Sequence, residues 1–279
     1  MKILINGKEL DFTLGDEKNI GQVLAEIESW LSNSGHVISK LSIDDSVISA
    51  SQIEDAFEMN IDTVKSLEIH TDTRPDLTSS SLLALFEDIK EYESLDYEKK
   101  AGFFENWKKS AQAAYICRQM PDLFSLCVKT FLHGEVTLAY LSSVTEERLH
   151  ELNDPLNEIL KIEPLLDDIC TRLVDLPLDI QTGKDIKAAQ TINLFAAVTD
   201  KIFRIYYELS IQGYFVIDNE SEKEQMTKLI GEFTNILKEL MESFERNDLV
   251  LVGDLAEYEA SVKIRELYNV IVKNSRSHK

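Results

Sequence analysis

The sequence predicts an α+β module over residues 1–73 followed by a mostly α-helical antiparallel bundle, so the chain is predominantly α overall. Three observations point there. Apolar residues alternate with period two in the first residues and again before His70, the spacing of a half-buried strand. Sequence texture changes near Arg74 and Pro75. Beyond that point apolar stripes of helical period recur, with capping residues and short turns between them.

Residues 2–5 and 8–14 flank Asn6-Gly7, a strong hairpin signal because a type I′ turn needs positive φ at both central positions. Ile3 and Ile5 alternate on one strand, and Leu10, Phe12 and Leu14 on its partner. Asn19 followed by Gln22 forms a capping box for a helix with the stripe Ile20, Val23, Leu24, Ile27 and Leu31, and Gly35 ends it. A third strand is expected over 37–43, turning at Asp44-Asp45. A short irregular or helical piece and a last strand over 67–71 follow. Hairpin, helix, strand, short helix, strand is the β-grasp, or ubiquitin-like, order, with one helix covering a small mixed sheet. Residues 71–81 are polar, contain Pro75, and read as a linker.

The second domain is expected over 79–279, with a helical segment 79–143 packing on a bundle over 145–273. Its first helix carries Leu82, Leu83, Phe86 and Ile89. The next, over 97–117, carries Phe103, Phe104, Trp107, Ala111 and Ala114. A third apolar run covers 123–141. Thr145 then caps a helix reaching residue 174 that Pro155 and Pro164 kink or split, and Pro177 falls in the turn after it. Thr182 caps a helix with Ile192, Phe195, Val198, Ile202, Ile205 and Leu209 buried. Ser221 and Glu224 box the next, whose stripe runs from Met226 to Phe244. Asn247 caps the last, burying Leu251, Leu255, Tyr258 and Val262.

Net charge is −21 and the pI about 4.6, a surface that repels phosphate backbones and anionic membranes. The pairs Lys99-Lys100 and Lys108-Lys109 are diluted by Glu98 and Glu105. Nucleic acid is therefore not an expected partner. No stretch reaches the roughly twenty apolar residues of a spanning helix, so membrane insertion is not expected either. The N-terminus opens in strand pattern rather than as a signal peptide, and the expected location is cytoplasmic. Cys117, Cys127 and Cys170 are odd in number and lack CxxC spacing. Cys117 and Cys127 lie in apolar surroundings that suit core residues, and reduced thiols are expected.

Motifs with chemical content are few. Gln181-Thr182-Gly183-Lys184-Asp185 resembles a phosphate loop, but Leu178 stands where the first glycine would be, and no Ser or Thr follows Lys184. A helix start explains it better. Glu147 and His150 have the Glu-x-x-His spacing of two metal ligands on one helix face, but a di-metal bundle needs a second such pair, and none occurs among the five histidines. They stand as the candidate metal residues, with solvated surface the simpler reading. The run 247–259 is the most distinctive. Asp254 and Tyr258, four apart, share a helix face, Glu259 flanks the core, and Asp248 lies at the start. Gly253 inside a helix costs about 1 kcal/mol against alanine, which implies a close crossing. These four polar residues read either as a patch that recognises a partner or as a satisfied buried network fixing bundle register. No catalytic residue and no cofactor is expected.

On the run 181–185 and on Asn247-Asp248, Gly253-Asp254-Leu255 and Glu257-Tyr258-Glu259, the C-terminal part is similar to a family of uncharacterised bacterial helical proteins. That resemblance implies no activity. The first domain resembles the ubiquitin-like fold by pattern, but the chain continues through Thr71-Asp72-Thr73 with no Gly-Gly end, which argues against conjugation and leaves docking. The expected function is a non-enzymatic adaptor or scaffold with a protein partner. The alternatives are an export or assembly chaperone that holds an amphipathic client segment and a metal-dependent enzyme built on Glu147 and His150.

Overall fold

The computed structural model describes residues 1–9, 15, 17–32, 35–48 and 52–276. They form two compact units, 1–149 and 150–279. A mixed five-stranded sheet opens the first, and helices make up the remainder of the chain.

In the sheet, β1 (Lys2–Ile5) and β2 (Lys8–Glu9) form the predicted hairpin, with Ile5 opposite Lys8. Asn6 and Gly7 take φ of 49° and 74°. The expected partner positions Leu10, Phe12 and Leu14 lie outside the described residues. Helix α1 (Ile20–Ser32) starts as predicted: Gln22 N–H donates to Asn19 Oδ1 at 3.0 Å, and Gln22 Oε1 accepts from Lys18 N–H. Next come β3 (His36–Ile43), β4 (Ser46–Val47), the short α2 (Ile53–Phe57) and β5 (Ser66–Thr73). Asp44 and Asp45, both at positive φ, turn β3 into β4. Asp44 also accepts the N–H groups of Lys65 and Ser66, and the Ser66 N–H above all holds its carboxyl below the usual range. The strand order is β2-β1-β5-β3-β4, with β1 and β5 parallel at the centre. Ile3, Leu41, Ile43, Leu67 and Ile69 pack on Ile20, Val23, Ile27 and Leu31 of α1.

The expected linker is not one. Residues 71–73 complete β5, and α3 (Arg74–Ser94) begins at once. Thr73 Oγ1 accepts from Asp76 N–H, and Pro75 sits in the first turn, where its missing N–H costs nothing. The polar residues and Pro75 there are the chemistry of a helix start rather than of a linker. After α3 come α4 (Tyr97–Trp107), α5 (Ala111–Gln119), α6 (Pro121–Cys127), a π-helical turn (Val128–Leu132) and α7 (Leu138–Asn153). The single helix expected over 97–117 divides at Ser110, whose hydroxyl accepts from Ala113 N–H. The division rotates the second half, so Ala113 and Ile116 are buried rather than Ala111 and Ala114, and Cys117 is exposed. In α3 the buried stripe is Leu82, Leu85 and Ile89, with Leu83 outside. Phe103, Trp107, Phe124, Phe131 and Tyr92 form an aromatic cluster, and Trp107 Nε1–H is satisfied by Asp88 at 2.8 Å.

In the second unit the prolines split the expected helix completely, leaving α8 (Pro155–Lys161) and α9 (Glu163–Gln181). Thr145 is no cap. It is buried within α7 and donates to Leu141 O. Pro177 lies inside α9, not in a turn. The remaining helices are α10 (Asp185–Ile211), α11 (Glu220–Glu245), α12 (Leu249–Asp254), a π-helical segment (Leu255–Ala260) and α13 (Ser261–Asn274). Asn219, not Ser221, caps α11, accepting from Glu222 N–H at 2.8 Å. Asn247, at φ 58°, ends α11, and Asp248 caps α12 by accepting from Leu251 N–H. The predicted stripes of α10 and α11 meet in the core, where Phe195 and Phe233 pack edge to face. Phe244, at the end of the α11 stripe, is exposed.

The last stripe is displaced. Val252, Leu255, Ala256, Ala260 and Ile264 are buried, while Tyr258 and Val262 are exposed. Hydrogen bonds in the π segment run i→i+5, and the extra residue rotates what precedes it against α13. The close crossing expected at Gly253 is present: a Cβ there would lie 3.2 Å from Pro177 Cβ and 3.3 Å from its Cα. Gly253→Val should therefore lower the unfolding free energy by about 1–3 kcal/mol in urea denaturation. Gly231→Ala on α11, where a Cβ meets nothing within 4 Å, should raise it by up to about 1 kcal/mol.

Candidate functional site

Helix α9 runs antiparallel to the chain from α12 through α13. Arg265 pairs with Asp167, the Cys170 thiol donates to Ser261 O at 3.5 Å, and Pro177 meets Gly253. Residues at four-residue spacing share a helix face. One such row on α9, Cys170, Val174 and Leu178, borders this seam; opposite it Val250 and Asp254 precede the π-helical segment, Tyr258 lies in it and Val262 follows it. Their apolar members are open to solvent: Val174 is 50% exposed, Leu178 58%, Val250 76%, Tyr258 66% and Val262 57%. A depression of about 510 Å³ lies along the seam, lined by Cys170, Val174, Asp175, Val262 and Arg265 among others.

Carboxylates punctuate these rows. The neighbouring Glu257 carboxylate above all, with the Asp254 charge, pushes the Tyr258 pKa up. Among the described residues, neither Asp175 nor Asp254 has a cation within ion-pair distance. The cations nearby are committed, Arg265 to Asp167 and Arg172 to Asp168 at 2.7 Å. Burial pushes the Cys170 thiol up, with Arg265 opposing, so it is not an activated nucleophile. Cys127, buried in the first unit, is pushed up to about 12.

Of the polar residues singled out in the sequence, Asp254 and Tyr258 come together on this face, exposed, so they form no buried network. Glu259 is also exposed, one turn before Lys263, whose ammonium bonds to Glu232 of α11, and so lies away from the seam. Asp248 is spent on its cap. Glu147 is half-buried and His150 exposed on α7, and among the described residues no group of three or more His, Cys, Asp or Glu is placed to hold a metal. Val174, Asp175 and Leu178 were missed. The signal was present: α9 has a buried row Leu166, Ile169, Leu173 and Leu176 and a further apolar row beside it, more than one buried face needs.

The 181–185 segment ends α9 and starts α10 at Asp185, with Lys184 rather than Thr182 at the position before the new helix. Thr182 donates to Leu178 O, Gly183 takes φ of 71°, and Lys184 N–H bonds to Asp179 O while Gly183 N–H bonds to Ile180 O. That pair of bonds is the Schellman motif. It brings Lys184 Nζ to 3.1 Å and lets Lys187 Nζ reach 2.7 Å from the buried Asp179 carboxylate.

Two family models match the chain. One, described as the TP0873 N-terminal domain, covers residues 1–73 and ends where β5 gives way to α3. The other, described as a domain of unknown function (DUF8042), covers residues 157–270 and contains the whole seam. No curated protein and no solved structure matches.

The Lys187 ammonium above all, with that of Lys184, holds the Asp179 carboxyl below its usual range. A lowered carboxyl contributes stability above its unfolded pKa and loses it as pH falls through the folded one. Asp179→Asn should lower the urea midpoint at pH 7, and the gap to wild type should close as pH is lowered through and below the ordinary aspartate range.

Proposed function

We propose that this protein is a non-enzymatic adaptor or scaffold that docks a protein partner on the α9/α12–α13 seam. The observation that carries the reading is the exposure of Val174 and Val262 in the lining of one depression, with Leu178, Val250 and Tyr258 exposed on the same two packed stretches of chain. Scattered exposed apolar residues need no explanation, but a contiguous group with polar borders is the character of an interaction surface. A π-helical segment beside it adds support, since such segments occur frequently at functional sites. The N-terminal sheet serves as a second, ubiquitin-like docking module in this reading. No helix among the described residues is long and apolar enough to cross a membrane, and the adaptor works from a cytoplasmic location.

The seam also favours a chaperone, because an open apolar groove between bundle helices is what an amphipathic client segment requires. The two differ in the partner's state: an adaptor holds a folded partner at fixed stoichiometry, whereas a chaperone suppresses aggregation of an unfolded client.

Val174→Glu combined with Val262→Glu alters exposed positions and should change stability by less than about 0.5 kcal/mol each. The same pair should reduce stoichiometric partner capture by the full chain from native lysate at least about tenfold. Retention of the partner by the double variant, or robust turnover in a substrate screen with no partner captured, would sink the adaptor.

A further inference from the structure

We infer that the seam receives a basic amphipathic helix, about three turns long, supplied by a partner protein. The inference rests on the adaptor reading and adds the chemistry of the occupant. Length comes from the longer row. Val250 to Val262 spans twelve residue steps, which at 1.5 Å each is about 18 Å. Its apolar members are Val250, Tyr258 and Val262, with Asp254 interrupting them, and the apolar face of a helix laid between the rows would meet them together with Val174 and Leu178.

Charge selects the occupant. Asp175, Asp254 and Glu257 border the apolar groups, and Arg265 and Arg172 are already held by Asp167 and Asp168. A helix carrying Lys or Arg beside its apolar face would bring cations to these carboxylates. A second copy of this chain would instead bring a net charge of −21 against −21, and like charge set against like costs several kcal/mol. An acidic helix meets the same repulsion. The complementary charge also steers encounter, so binding weakens as salt is added.

The test uses the full chain and fluorescein-labelled synthetic peptides of ~14 residues, a length just over that of the row. One has leucines at i, i+4 and i+7 with flanking lysines. The second replaces every lysine by glutamate, and the third scrambles the first. Fluorescence anisotropy should show the lysine peptide binding at least about tenfold more tightly than either control, a difference of about 1.4 kcal/mol. Val174→Glu with Val262→Glu should abolish the preference over the scrambled peptide, which carries the same charges, while that over the glutamate peptide persists. Asp175→Lys with Asp254→Lys, at exposed positions, should reverse it in favour of the glutamate peptide. Equal binding of the lysine and scrambled peptides, or an unreversed preference in the charge-swapped variant, overturns the inference. So does a dimer of the chain alone, lost in Val174→Glu/Val262→Glu, in sedimentation equilibrium. The adaptor reading is separable: if the lysate partner is captured and lost in Val174→Glu/Val262→Glu while the peptides fail, the adaptor stands and the basic helix falls.

Discussion

Pro177 occupies the space that a side chain at position 253 would need, and the C-terminal unit is arranged around that contact. A proline within a helix removes one backbone hydrogen bond and crowds the preceding turn, at ~3 kcal/mol. A glycine within a helix costs about 1 kcal/mol. Scattered along two helices, these penalties would simply weaken both. Placed opposite each other they let α9 and α12 approach closely, so packing can offset them. The π-helical segment begins two residues after Gly253, and its extra residue turns Tyr258 and Val262 outward. Proline, glycine and π segment together create the seam.

Much of the fold was legible because local chemistry and global packing agree. Asn6-Gly7 admits the backbone angles of a tight hairpin and few others. Asn19 with Gln22 marks the start of α1 before any tertiary contact is considered. The long stripes of α10 and α11 are buried largely as their periodicity demands. Errors concentrate at helix ends, and they share a cause. Hydroxyl and amide side chains have several local uses: they cap an N-terminus, occupy the left-handed position after a C-terminus, or bond back to a carbonyl one turn earlier. Thr145 and Thr182 bond back, and Asn247 takes the left-handed position. All three looked like N-caps because the stripe that would have arbitrated began at an uncertain residue.

The candidate site was half legible. Asp254 and Tyr258 stood out in a distinctive run, and both are exposed, near enough for the Asp254 charge to act on the phenol. Their exposure was not readable, because a 3.6-residue projection assumes an unbroken α-helix and the π segment breaks it. The α9 half of the seam lies some eighty residues away in sequence, and nothing in residues 170–178 marks them as neighbours of residues 250–262. Only the surplus of apolar positions on α9 hinted that one buried face would not use them all. Asp248 shows the opposite failure. It drew attention as part of a polar run, yet its cap explains it.

A strongly acidic chain can keep apolar groups outside at modest risk. Full burial of a Val or Leu side chain stabilises by about 1.5–3 kcal/mol, so several exposed together would favour association with almost any apolar surface. Net charge of −21 opposes this for every acidic collision partner, a second copy included. The carboxylates Asp175, Asp254 and Glu257 apply the same rule locally, since an apolar group reaching the seam must bring cations or leave these anions partly desolvated and unpaired. Apolar contact then supplies most of the affinity, and charge decides which surfaces are admitted. Acidity that repels phosphate backbones and anionic membranes thus has a second consequence at the seam, where it restricts the partners that the apolar rows would otherwise accept without discrimination.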